Sequence, residues 1–223
     1  MAEEPLLNEA EVRVLGSLIE KQITTPEYYP LTLNALTHAC NQISNRDPVV
    51  AYDEKIVARA LESLREKNLA YIFYGSESRV PKYKHVVPEV LGLTPPQVAA
   101  MCVLMLRGPQ TVGEVRGRTT RLYEFKELME VEATLEELAT RDTQPLVARL
   151  PKLPGRKESR YAHLLSGLVE VEAEATAPRT EAATREVRAE NERIAALEAL
   201  VETLRGEVAE LRAQFDDFKK QFE

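Results

Sequence analysis

Histidines, cysteines and clustered carboxylates are the side chains that hold metals or move protons, and this sequence offers none in a working pattern. His38 sits in a helical stretch without a second ligand at helical spacing. His85 and His163 fall at equivalent places in two strand-like stretches, where packing or a shared hydrogen bond accounts for them. Cys40 and Cys102 are far apart, each inside an apolar helical pattern, as small buried thiols are, and two lone cysteines make no metal site. The carboxylates Glu124, Glu127, Glu130, Glu132, Glu136 and Glu137 read as the solvated face of a helix. Glycine-rich phosphate loops and nucleophile elbows are missing as well. The expectation is a non-enzymatic chain with no metal and no cofactor.

The chemistry left is charge against phosphate. One group of cations comprises Arg46, then Lys55 and Arg59, then Arg79, Lys82 and Lys84; a second, weaker set is Arg116, Arg118, Arg121, Lys152, Arg156 and Lys157. The 223-residue chain carries a net charge of −7, and residues 166–223 hold 8 basic against 14 acidic side chains, so the rest is nearly balanced. That excludes a broadly basic surface and leaves room for a local one.

Helix-start signals reveal what positions these cations. Asn8 caps a helix, Glu11 closes a capping box and Leu7 can staple onto Val12; Leu93, Thr94, Gln97 and Val98 repeat the device, with Pro95 at the first helical position. The stripe Val12, Leu15, Leu18, Ile19 maps onto Val98, Met101, Leu104, Met105. Pro30, Thr32, Leu33 and Leu36 then match Pro109, Thr111, Val112 and Val115, and Val57, Leu61 and Leu64 match Val131, Leu135 and Leu138. Each third helix is followed by a predicted hairpin, 70–74 with 82–87 and 146–150 with 160–164. Three helices and a two-stranded hairpin is the order of a winged helix-turn-helix. The fold expected is mostly α with small β-wings (α+β): two tandem winged helix-turn-helix domains, 6–88 and 89–166, a linker 167–184, and a coiled coil 185–223.

The coiled coil is read from an unbroken heptad seam, Ile194, Leu197, Val201, Leu204, Val208, Leu211, Phe215, Phe218 and Phe222. In a parallel pair Arg193 meets Glu198 and Glu207 meets Arg212, which favours a parallel homodimer over one helix folded back on the body.

The run Leu31, Thr32, Leu33, Asn34, Ala35, Leu36, through Cys40, Asn41, Gln42, then Ser44, Asn45, Arg46, Asp47 and Pro48, resembles the YceH-like family of bacterial proteins. The resemblance covers about residues 6–166, including Leu7, Asn8, Glu11, the Lys21 to Pro30 loop and the helix ahead of Arg107 and Gly108. It implies tandem winged helices, a short C-terminal coiled coil, and a fold similar to DNA-binding and chromosome-organising proteins, with no activity attached. Ile43 departs from the basic residue the family carries after Asn41 and Gln42, which weakens the case for phosphate contact there.

Two functions follow as expectations. In one, the first domain reads duplex DNA, with Lys55 and Arg59 early in its third helix and Arg46 on the preceding loop, and the coiled coil pairs two chains. The alternative is a noncatalytic scaffold whose winged helices bind another protein. The longest apolar run, Val98 to Leu106, is nine residues against the roughly 20 of a membrane helix. The start of the chain lacks the basic and apolar stretches of a signal peptide, so a cytoplasmic protein with no membrane partner is expected.

Overall fold

A computed structural model describes residues 6–74, 80–152 and 158–167; the heptad seam, Arg79, Arg156 and Lys157 lie outside them. Helix α1, Glu9–Thr24, starts with the capping box anticipated from Asn8 and Glu11. Every residue from Glu11 to Glu20 is buried, so α1 is a central helix and not an amphipathic one with a wet face. Its polar residues are satisfied by distant partners. Glu11 accepts from Lys67 Nζ at 2.6 Å, and Arg13 donates to Cys40 O at 3.2 Å and Pro48 O at 2.6 Å. Burial works to raise the Glu11 pKa, and hydrogen bonds from Lys67, Ser63 and the Asn8 N–H overcome it, so the net shift is down.

A 3-10 turn at Pro26–Tyr28 leads to β1, Leu31–Thr32, and on to α2, Leu33–Cys40, capped by Thr32. Helix α3, Glu54–Glu66, is capped by Asp53, whose Oδ1 accepts from the Ile56 N–H at 2.8 Å. Strands β2, Ala70–Phe73, and β3, Lys82–His85, follow. They form a three-stranded antiparallel sheet in the order β1-β3-β2, with Tyr83 opposite both Leu31 and Ile72. The two-residue β1 is too short to show a period of two in sequence.

After the short helix α4, Val87–Leu91, the same order recurs. Helices α5, Pro95–Arg107, α6, Val112–Thr119, and α7, Leu128–Ala139, precede the antiparallel pair β4, Val147–Arg149, and β5, Tyr161–His163. The ladder runs beyond the strand ends through Leu150 N to Arg160 O at 2.7 Å and Leu164 N to Leu146 O at 2.8 Å, close to the hairpin limits predicted. Gln110 bridges Tyr161 where β1 meets β3 in the first copy, so the third-strand contact is also repeated.

The first helices of the two copies pack on each other. A Cβ on Gly16 would stand 2.9 Å from Leu106 Cδ2 and 3.3 Å from Met105 Cβ, so α1 and α5 approach at a point only glycine leaves free. Cys102 Sγ reaches Gly16 O at 3.5 Å across the same contact. Apolar burial is continuous from Leu7 through α1, α3, α5 and α7 to Tyr161, and each fully buried leucine on this path contributes roughly 1.5–3 kcal/mol.

Candidate nucleic-acid interface

Val57, Ala60, Leu61 and Leu64 turn one face of α3 into the core, which fixes the opposite face in solvent. Lys55 and Arg59, four residues apart, are both exposed there. Neither makes an ion pair among the described residues, although Glu54, Glu62 and Glu66 share the helix; Glu54 instead accepts from Asn34 Nδ2 at 3.3 Å. Lys67, just past the helix, is committed inward to Glu11 and to Leu6 O at 3.0 Å.

The hairpin adds two more cations. In the β2-β3 register Tyr71 lies opposite Lys84 and Phe73 opposite Lys82, so two aromatics and two lysines share one face. Lys84 Nζ stands 4.7 Å over the Tyr71 ring and Phe73 is 41% exposed. The other face turns in: the Tyr29 hydroxyl accepts from the His85 N–H at 2.9 Å and pins the 3-10 turn to β3.

Arg46 is a correction. Expected at the DNA surface, it is buried, with only 5% of its surface exposed. Its Nη1 and Nη2 donate to Glu20 Oε1 and Oε2 at 3.1 and 2.6 Å, Nη2 and Nε donate to Ala39 O, and Nη2 also reaches Gln42 Oε1 at 3.3 Å. A guanidinium so engaged has no donor to spare for a phosphate. Arg46 instead fastens the loop between α2 and α3 to α1. Asn41 closes that loop by exchanging two hydrogen bonds with the Tyr52 backbone, each 2.8 Å, and Asp47 N–H donates to Leu106 O at 3.0 Å. The distinctive Asn41-to-Pro48 run is therefore the internal frame of a loop.

In the second copy α7 shows the acidic face expected, with Glu132, Glu136 and Glu137 exposed. Arg116 is exposed and donates to Lys126 O at 2.6 Å, and Lys152 is exposed beside β4. Arg118 and Arg121 turn to a cleft of about 380 Å³ that they share with Lys21 and Arg107. Gathering cations from both copies in one place is something the sequence did not signal.

His38 is exposed on α2, while the other histidines and both cysteines are withdrawn from solvent. Burial, with Lys84 nearby, pushes the His85 pKa down to about 4, and burial alone brings His163 to about 4, so both rings are neutral at pH 7. Burial raises the Cys40 thiol to about 11 and Cys102 further still. Among the described residues no three His, Cys, Asp or Glu side chains come together to hold a metal, and no helix is long and apolar enough to cross a membrane.

A family model described as "Protein of unknown function, DUF480" matches residues 7–156. A UPF0502 protein of Geotalea uraniireducens (strain Rf4) is 58% identical over 217 residues, 97% of this chain and 98% of its own length. One from Geobacter sulfurreducens (strain ATCC 51573 / DSM 12127 / PCA) is 56% identical over 220 residues, 99% of this chain and 100% of its own. One from Opitutus terrae (strain DSM 11246 / JCM 15787 / PB90-1) is 56% identical over 174 residues, 78% and 76% of the two chains. These names carry no activity.

Proposed function

The chain belongs to the bacterial family of unknown function described by DUF480 and named UPF0502, and we propose that it is a cytoplasmic, non-enzymatic DNA-binding protein of two tandem winged helix-turn-helix domains. Within that proposal the run Leu31 to Pro48 is a YceH-like signature, and the seam Ile194 to Phe222 forms a parallel coiled coil that pairs two chains. The observation that carries the reading is the exposed couple Lys55 and Arg59 on α3, without an ion pair among the described residues. A third helix presenting early basic residues, beside a β1-β3-β2 sheet, suits insertion into a major groove with the hairpin on the flanking backbone. The acidic α7 would be repelled by phosphate, so the second copy contributes through its loops.

Fluorescence anisotropy of a labelled duplex titrated with the full chain tests this. Binding is expected at low ionic strength, falling with salt because each phosphate contact contributes about 0.9 to the logarithmic salt slope, and the double variant Lys55→Glu, Arg59→Glu should abolish it by reversing the local charge. Light scattering should give a dimer for the parent and a monomer for Leu204→Lys.

A second reading, a protein-binding scaffold, has its own support: Leu128 and Met129 open α7 at 50% and 74% exposed beside its acidic face. It prevails if the parent shows no salt-sensitive association with DNA and the Glu variants behave as the parent does.

A further inference from the structure

Four cations from three segments meet in the cleft between the two copies: Lys21 on α1, Arg107 at the end of α5, Arg118 on α6 and Arg121 just beyond it. The acid that lines it, Glu20, is shared with Arg46 at 2.6 Å, so it offsets the four cations only in part. Lys21 stands 3.9 Å from that engaged carboxylate, and Arg118 is 4.0 Å from Glu114. Arg107 donates to a neutral acceptor, Asn45 Oδ1, at 2.6 Å, and Arg121 has no hydrogen bond or ion pair among the described residues. Burial first, then the charge of Arg118, pulls the Arg107 pKa down, with Arg46 adding to this and Asp47 and Glu20 opposing it. Like charges gathered in a partly enclosed space repel, and a multivalent anion relieves that repulsion.

We propose that this cleft binds a small polyphosphate-bearing molecule, of the size and charge of a nucleoside diphosphate. The volume of about 380 Å³ falls in the range of small-ligand pockets. Arginine forks match phosphate oxygens, Ser44 and Thr120 add hydroxyl donors, and the half-buried Leu122 offers an apolar contact for the rest of the ligand. Lys21 and Asn45 come from the first copy and Arg107, Arg118 and Arg121 from the second, so an occupied cleft is held by both. This site is separate from the α3 face and does not depend on the DNA reading.

Isothermal titration and thermal unfolding of the full chain, with inorganic pyrophosphate, ADP and inorganic phosphate in turn, test it at low salt without divalent ions. Pyrophosphate and ADP are expected to bind saturably and raise Tm, with phosphate weaker. Two variants locate the site. Arg121→Ala should weaken pyrophosphate binding by at least about tenfold. Gly117→Glu puts a carboxylate on the cleft wall, where an added Cβ meets nothing within 4 Å, and it replaces a poor helix former with a good one. That chain should keep its fold and lose the pyrophosphate response. The proposal is overturned if the parent shows no saturable response to pyrophosphate or ADP at millimolar concentration, or if Gly117→Glu responds as the parent does. It is equally overturned if duplex DNA binding is lost in both variants while pyrophosphate never binds, because the cleft is then a contact for a nucleic-acid backbone.

Discussion

Arg46 grips Glu20 with both ends of its guanidinium, Nη1 on Oε1 at 3.1 Å and Nη2 on Oε2 at 2.6 Å, and so ties the loop before α3 to α1, which is buried from Glu11 to Glu20. Two parallel N–H···O bonds with a backbone carbonyl completing the guanidinium make a fully satisfied buried pair. Removing one partner strands the other.

Arg46→Met should therefore cost about 3–5 kcal/mol in urea unfolding, because the carboxylate of Glu20, a residue 8% exposed, keeps only the more distant Lys21 at 3.9 Å. Glu20→Leu should cost a similar amount, and the double variant should recover much of the loss, since neither charge of the pair then remains. Losses that simply added would show that the two side chains do not act as a pair.

The contact of α1 with α5 makes a second prediction. Gly16→Val should destabilise by about 1–3 kcal/mol, because its methyls must enter space held by Leu106 and Met105. Adding Leu106→Ala in the same chain should return part of that stability by freeing volume, a sign that overpacking and not the loss of glycine is responsible.

Much of the local structure was legible in the sequence because its signals are local. Asn8 with Glu11, and Thr94 with Gln97, each announce a helix start within four residues, and they begin α1 and α5 as expected. What failed to show depends on partners far along the chain. In sequence Arg13 and Glu20 resemble the polar side of an amphipathic helix, and nothing nearby reveals that Pro48 and Arg46 meet them 35 and 26 residues later. Arg46 reads as a surface cation for the same reason. The cleft was invisible because its four cations come from three segments of two copies, a proximity produced by the packing of α1 on α5.

His85, buried, and His163, half-buried, give a pH dependence whose sign can be fixed. Both fold with a pKa of about 4 against 6.5 for the free side chain, so between these values the unfolded chain binds protons that the folded one refuses. Stability contributed by their neutrality is whole above pH 6.5 and is lost as pH falls toward 4. Each should remove about 2 kcal/mol between pH 7 and pH 5. Glu11, with its lowered pKa, loses its own contribution only below the ordinary carboxylate range, which separates the two effects. Urea unfolding across this window should show the decline, and His85→Phe with His163→Phe should flatten it. An unchanged slope in that variant would assign the acid sensitivity elsewhere.

Lys82 and Lys84 set the remaining prediction, because the strand register places them on the aromatic face of the hairpin while Tyr83 and His85 point the other way. If the hairpin lies along the DNA backbone, these lysines touch phosphates and read no base. Lys82→Ala with Lys84→Ala should then weaken binding by a similar factor on unrelated duplexes and lower the logarithmic salt slope by about 1.8, two contacts at about 0.9 each. Stability should change little, because the cation–π interaction of Lys84 with the Tyr71 ring, at 4.7 Å, is worth about 0.5–1 kcal/mol at an exposed site. Anisotropy titrations at several salt concentrations measure both affinity and slope on the same samples. Values that match the parent would remove the hairpin from the interface and leave α3 to bind alone, whereas a weakening confined to one duplex sequence would mean that the lysines reach base edges.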